Sequence, residues 1–148
     1  MASVNRRLHQ NKFRERVLAA YHTQCAVCRL RYRELLEAAH ILPDSDERSM
    51  PVVSNGIALC KLHHAAFDSY ILGIRPDLIV QIRADVLHET DGPMLEYGLQ
   101  GFDGARIAVP RASGLRPSAQ KTAPLLNPPP QSRGRNLAER YERFRKAG

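Results

Sequence analysis

The sequence predicts an α+β domain in which short strands and helices are held together by a bound metal ion. Three observations support this prediction: an amphipathic pattern at residues 11–22, two β-rich runs at 71–74 and 78–82, and two cysteine-containing pairs with metal-ligand spacing. The 148 residues suffice for one domain with an extension. Hydrophobic residues make up 43% and charged residues 25%, a composition that argues against wholesale disorder.

The first element is a predicted helix at residues 11–22. Apolar side chains recur on one side at a spacing of three to four residues, and charged side chains cover the rest. The apolar residues are Phe13, Val17, Leu18 and Tyr21. A helix with this pattern packs one face against a core and leaves the other in water.

The central segment alternates between apolar runs and turn signals. Residues 34–42 fit a helix or a strand by composition, and Pro43 ends the segment. The polar residues 44–51 predict a surface loop, and Asn55-Gly56 is a turn signal. Residues 57–67 predict a short apolar run that enters a helix.

The second half of the chain begins with the β-rich runs 71–74 and 78–82, which predict a hairpin. Residues 94–109 contain three glycines and suggest short strands. Prolines are concentrated in residues 110–135, which predict an extended linker. Residues 136–146 return to a helical pattern rich in basic side chains.

Basic side chains are concentrated at both ends of the chain, which carries a net charge of +7. Residues 1–33 hold eight basic groups and one acidic group, residues 34–110 hold five and twelve, and residues 111–148 hold nine and two. Basic segments usually contact phosphate, so the expected partner is a nucleic acid. The alternative is that the basic ends merely aid solubility.

Two residue pairs have the spacing of zinc ligands. Cys25 and Cys28 form C-x2-C, and Cys60 and His63 form C-x2-H, with 31 residues between the pairs. Zinc prefers four such ligands in a tetrahedron, and a gap of two residues lets both members of a pair reach one ion. Three cysteines cannot all form disulfides within the chain, so the zinc interpretation accounts for each of them. The alternative is three unpaired buried cysteines.

A second group of polar residues has the composition of a hydrolytic site. His64 and Asp68 lie four residues apart, on one face of the predicted helix, and can share a divalent metal ion. His40 suits a general base, because histidine has an ordinary pKa near ~6.5. Asn55 can orient that base. Each of these residues has an alternative interpretation. His40 is then an ordinary surface or core residue, Asn55 is only a turn residue, and His64 binds zinc in place of His63.

Taken in order, these motifs resemble the HNH endonuclease family, and most of all the HNH domains of bacterial restriction-type endonucleases. The resemblance covers residues 10–82 and implies a ββα-metal (His-Me finger) core. The motifs that carry it are Phe13-Arg14, Tyr21, the Cys25/Cys28 pair, Ala39-His40-Ile41, Asn55-Gly56, Leu59-Cys60 and His63-His64-Ala65-Ala66-Phe67-Asp68.

The resemblance implies a role for each motif residue. His40 would be the general base on the first strand, Asn55 would hold the base or support the metal site, and His64 would bind the catalytic Mg²⁺, Mn²⁺ or Ni²⁺. A structural Zn²⁺ would be held away from the chemistry by Cys25, Cys28, Cys60 and His63. Many family members have an aspartate before the base, where this sequence has Ala39, so Asp68 is the candidate for the missing carboxylate.

The expected substrate is double-stranded DNA, hydrolysed at its phosphodiester bonds. Four arginines are expected to contact flanking phosphates: Arg14, Arg29, Arg31 and Arg33. A homodimer or a separate recognition subunit would provide sequence specificity, which would otherwise be low, and a pair of sites is needed for a double-strand break in one encounter. Ala39 keeps an alternative open, a catalytically inert zinc-stapled DNA-binding module. A third hypothesis is that the chain is a redox or metal sensor that uses the C-x2-C pair.

The expected domain organisation has three parts. A basic N-terminal helix occupies residues 1–24, the nuclease core residues 25–90, and a C-terminal extension residues 91–148, with the linker at 110–135 and a terminal basic helix. The sequence shows no apolar run of the ~20 residues that a membrane span needs and no secretory signal, so we expect a cytoplasmic protein.

Overall fold

The structure, a computed structural model, describes residues 2–42, 53–111, 116–117 and 136–147. It combines helices with two small antiparallel sheets, which confirms the predicted α+β class. Among the described residues no helix is long and apolar enough to cross a lipid bilayer. The elements are α1 (Ala2–Ala20), β1 (Leu36–His40), β2 (Gly56–Cys60), α2 (Lys61–Asp68), β3 (Leu72–Ile74), β4 (Val80–Ile82), α3 (Ala84–Leu87), α4 (Pro93–Gly98) and α5 (Asn136–Ala147).

The central unit is a ββα arrangement made by β1, β2 and α2. The strands are antiparallel, with Leu36 opposite Cys60 and His40 opposite Gly56, and α2 follows β2 without a loop. The ambiguous segment 34–42 thus contains a strand, and all five residues of its partner β2 are buried. The predicted loop at 44–51 lies outside the described residues.

Helix α1 packs across this unit with the apolar face that the sequence predicts. Phe13 and Val17 come so close to β2 that a Cβ atom on Gly56 would lie 2.7 Å from Phe13 Cζ and 2.6 Å from Val17 Cγ2. A side chain at position 56 would therefore push the helix away from the strand. The Tyr21 hydroxyl donates a hydrogen bond of 3.4 Å to Gly56 O.

The predicted hairpin is present as β3 and β4, which pair antiparallel. The predicted C-terminal helix is also confirmed as α5, which packs on β3. A Cβ atom on Gly73 would lie 2.5 Å from Phe144 Cγ, so α5 sits directly against the backbone of this strand. Leu137 of α5 is fully buried in the core.

The suggestion of short strands at 94–109 is wrong. The structure has α4, a 3-10 turn at Gln100–Phe102 and a single isolated bridge between Ile79 and Arg106 in this region. Pro93 is compatible with the first turn of a helix, where its missing N–H costs nothing. The Gln100 side chain then donates hydrogen bonds to the carbonyls of Val86 and Glu89 and ties the turn to α3. The predicted linker lies mostly outside the described residues.

Candidate functional site

Four predicted zinc ligands meet in one cluster. The donor atoms of Cys25, Cys28, Cys60 and His63 all lie within 4.8 Å of one another. Cys28 Sγ is 3.9 Å from Cys60 Sγ, and His63 Nδ1 is 3.2 Å from Cys60 Sγ and 3.6 Å from Cys25 Sγ. Ligand atoms around a tetrahedral zinc with bonds of about 2.3 Å lie about 3.8 Å apart. The cluster therefore fits a zinc ion.

Local backbone structure places both ligand pairs. In the first pair, Arg29 N–H donates to Cys25 O, and Arg29 adopts a left-handed backbone with φ 67°, which turns the chain tightly around the two thiols. In the second pair, Cys60 is the last residue of β2 and His63 lies in the first turn of α2. A bound ion would thus fasten the segment after α1 to the start of α2.

The orientation of His63 is fixed from its far side. Its Nε2–H donates a hydrogen bond of 2.7 Å to Gly98 O at the end of α4, and the edge of its ring meets Phe102. Nδ1 is therefore the nitrogen that faces the thiols. An outer hydrogen bond of this kind fixes the tautomer of a metal-binding histidine.

The cluster favours the thiolate form of one of its cysteines. Hydrogen bonds with Cys28 and Cys60 lower the pKa of the Cys25 thiol, and the contact with Cys25 raises the pKa of Cys28 in turn. Burial lowers the pKa of His63, but hydrogen bonds to the Cys25 and Cys60 sulfurs and to Gly98 O raise it to about 10. The cluster thus holds thiolate character, the form of cysteine that binds zinc.

A second polar cluster surrounds His64, on the next position of α2. His64 Nε2 lies 3.1 Å from Asp68 Oδ2, and Nδ1 lies 2.8 Å from Glu37 Oε1. Asp68 therefore points toward His64, as the shared-metal hypothesis requires. The hydrogen bond to Asp68 raises the pKa of His64, burial opposes this, and Glu37 raises the pKa further. The hydrogen bond from His64 lowers the pKa of Asp68 in return.

Sequence reasoning missed Glu37. The motif pattern places the carboxylate next to His40, where this chain has Ala39, which is fully buried. Alternate residues of a strand share a face, and Glu37 contacts His64 of α2, so Ala39 is expected on that same face of β1. Counting back two residues from Ala39 would have identified Glu37 as a carboxylate on the side of the strand that the missing aspartate would occupy.

His40 ends β1, and Asn55 directly precedes Gly56, the residue of β2 that pairs with His40. The His40 ring stacks on Phe13, with centroids 4.3 Å apart, and its charge is one of those that lower the pKa of Asp68. Asn55 is fully buried. Its Oδ1 accepts from Leu42 N–H at 3.1 Å and its main-chain O accepts from Ile41 N–H at 2.9 Å. Asn55 thus fixes the two residues that follow His40.

The four arginines expected at the DNA surface differ in their surroundings. Arg14 donates to the main-chain oxygens of Leu36 and Arg33, and both Arg14 and Arg33 form ion pairs with Glu15. Arg29 and Arg31 are exposed, and Arg29 reaches Arg106 O at 3.5 Å. Arg14 therefore supports the start of β1, while Arg31, three residues after Cys28, is exposed to solvent.

Comparisons with known proteins relate part of the chain to nucleases. Residues 25–75 match the family model of an HNH endonuclease. Among solved structures, a modification-dependent TagI restriction endonuclease aligns with 21% sequence identity and a TM-score of 0.44. The alignment covers 67% of this chain and 30% of that protein, so the chain spans under a third of its length. No curated protein sequence matches the chain.

Proposed function

We propose that this chain, which carries an HNH endonuclease segment at residues 25–75, is a divalent-metal-dependent nuclease that hydrolyses phosphodiester bonds of double-stranded DNA. The observation that carries the proposal is the cluster in which His64 of α2 lies between the carboxylates of Glu37 and Asp68. One imidazole with carboxylate oxygens suits Mg²⁺, Mn²⁺ or Ni²⁺.

His64 and Asp68 would hold the catalytic ion. Glu37 would accept the Nδ1–H of His64, which leaves Nε2 for the metal and makes the imidazole a better ligand. When bound, the ion would supply positive charge at the scissile phosphate and the leaving oxygen. Glu37 would thus support His64 from β1, while Asp68 would supply the metal-binding carboxylate that is absent at Ala39.

His40 would act as the general base and take a proton from the attacking water. It lies at the end of β1, where Asn55 fixes the next two residues and Phe13 holds the ring by stacking. Such positioning keeps the base in one orientation, which general base catalysis requires.

The proposal is tested by incubating zinc-loaded protein with supercoiled plasmid and Mg²⁺, Mn²⁺ or Ni²⁺. We expect nicked or linear DNA with at least one of these ions and none after the divalent ion is withheld. Nicking alone would indicate a monomer acting on one strand, whereas linear DNA at low enzyme concentration would indicate a homodimer or a partner subunit.

A specific observation favours a second candidate, the inert DNA-binding module. Both nitrogens of His64 already contact carboxylates, so the cluster could be a self-contained ion-pair network beside Ala39. This candidate predicts salt-sensitive DNA binding without cleavage by any of the three ions.

Metal binding at His64 is expected to strengthen as the pH rises. The metal needs the neutral imidazole, and Asp68 and Glu37 raise the pKa of His64 above its ordinary ~6.5. Protons therefore compete with the metal below that raised pKa. We expect Mn²⁺ affinity, measured by calorimetry on zinc-loaded protein, to increase from pH 6 to pH 8. A flat profile would contradict His64 as a ligand.

Replacing Glu37 by glutamine tests its supporting role. Glutamine keeps an acceptor for His64 but loses the charge, so we expect Mn²⁺ affinity at pH 8 to fall about 10-fold. The loss should shrink toward pH 6, because the pKa of His64 falls as well and protons compete less. The matched control is Glu34→Gln, an exposed carboxylate three residues earlier. Unchanged affinity in Glu37→Gln would exclude the role.

Arg31 is expected to bind DNA phosphate. Arg31→Ala should weaken binding to duplexes of any sequence and reduce the slope of log K against log salt by about 1. Fluorescence anisotropy between 50 and 200 mM salt would measure this, with Arg75→Ala as the control, since Arg75 is held by Asp77. An unchanged slope would remove Arg31 from the interface.

A further inference from the structure

A buried cation lies beside the candidate catalytic site. Arg140, on α5, is 4% exposed, although a charged side chain is almost never buried unless it is paired. It is 72 positions after Asp68 in the sequence. The fold thus brings a charge from the C-terminal helix to the end of α2.

The guanidinium of Arg140 is held on several sides. Its carbon lies 4.2 Å from the centroid of the Phe67 ring and 4.5 Å from that of Tyr70. Nη2 donates a hydrogen bond to Phe67 O and lies 3.6 Å from Asp68 Oδ1. The stacking fixes the plane of the guanidinium, so the edge that faces Asp68 has little freedom to rotate.

The two oxygens of Asp68 therefore face different partners. Oδ2 faces His64 Nε2 at 3.1 Å, and Oδ1 faces Arg140 at 3.6 Å. We propose that Arg140 is a positioning residue that sets the Asp68 carboxylate against His64, so that docking of α5 completes the catalytic metal site. The catalytic consequence rests on the proposed nuclease function.

The backbone at Tyr70 supports this arrangement. α2 ends in a Schellman motif, in which Ile71 N–H donates to Ala66 O and Tyr70 N–H to Phe67 O. Tyr70 has φ 60°, in the left-handed region where glycine is favoured. A glycine would have no ring to cover Arg140, so the tyrosine provides a contact that the preferred residue could not.

Burial limits how Arg140 can act. A guanidinium covered by two rings cannot reach a DNA phosphate, so its effect passes through Asp68. A merely structural role, as the residue that fastens α5 to the last turn of α2, would instead affect folding and leave metal affinity unchanged.

The test compares Mn²⁺ affinity, kcat and KM for DNA, zinc content and melting temperature in full-length variants. Arg140→Gln is expected to weaken Mn²⁺ binding 10- to 100-fold and to lower kcat with KM unchanged, and Arg140→Lys is expected to restore part of the affinity. Arg145→Gln makes the same charge change at an exposed position of α5 and should leave Mn²⁺ affinity unchanged.

A second control separates helix docking from the guanidinium itself. Gly73→Ala adds a Cβ atom that would clash with Phe144, so it loosens the packing of α5 on β3 but keeps the guanidinium of Arg140. It should lower the melting temperature but, below that temperature, bind Mn²⁺ much more tightly than Arg140→Gln does. Wild-type Mn²⁺ affinity in a folded Arg140→Gln protein would overturn the positioning role. If Arg140→Gln does not fold, Arg140→Lys replaces it in the test. Mn²⁺ affinity of Arg140→Lys equal to that of the wild type would then overturn the positioning role.

The experiments distinguish failure of the Arg140 positioning role from failure of the proposed nuclease activity. His64→Ala identifies which Mn²⁺ binding belongs to this site. Mn²⁺ binding that depends on His64 and Arg140, with no cleavage of DNA, would overturn the nuclease and support the positioning role. A wild-type protein without His64-dependent Mn²⁺ binding would overturn the positioning role itself.

Discussion

Replacing His40 by alanine is expected to abolish plasmid cleavage, with a fall in the rate constant of about 10²- to 10⁴-fold. The variant removes the group that would take the proton from water but leaves Glu37, His64 and Asp68 in place. Single-turnover cleavage with saturating Mn²⁺ would measure the rate, and zinc content and circular dichroism would show that the fold is retained.

Two further variants make this result interpretable. His88→Ala removes an exposed histidine at the end of α3 and should cleave at the wild-type rate. His40→Gln keeps a planar side chain against Phe13 and should be as inactive as His40→Ala. A folded His40→Ala protein that retains more than about a tenth of the wild-type rate would exclude His40 as the general base.

Removing the structural zinc is expected to unfold the domain. Structural zinc contributes about 10–16 kcal/mol in small zinc domains, whereas a whole domain is stable by only about 5–15 kcal/mol. Cys60→Ser is therefore expected to lose bound zinc and its cooperative thermal transition. Metal analysis together with circular dichroism would show both losses.

The control for this variant is the wild-type protein treated with a strong zinc chelator. It should lose the same transition, and zinc addition should restore it, which would exclude the serine itself as the cause. A zinc-free Cys60→Ser protein that melts within a few degrees of wild type would show that the apolar core suffices without the ion.

Local spacing predicted the parts of the molecule whose geometry is local. A gap of two residues lets both members of a pair reach one ion, and zinc prefers four ligands, so the sequence alone sufficed to group Cys25, Cys28, Cys60 and His63. The hairpin and α5 followed from periodicity in the same way. By contrast, α4 formed in a region where short strands were expected, and Pro93 suits the first turn of this helix.

The contacts that were missed depend on the tertiary arrangement. Glu37 resembles a solvated strand residue until α2 places His64 over it. Arg140 is one of several basic residues on α5, and periodicity could not show that this one is buried on Asp68. Pairs such as these, separated by 27 and 72 positions, can be recognised only from the packing of α2 and α5.

The packing of α1 and α5 determines how long a segment of this chain must be to fold when it is fused to another protein. The segment that matches the family model, residues 25–75, has one face covered by α1 through Phe13 and Val17, and its strand β3 is covered by α5 through Phe144. A fusion that carried only this segment would present both bare apolar faces to water and invite aggregation. A segment that is to fold in a fusion protein therefore needs both terminal helices, although neither lies within the residues that match the family model.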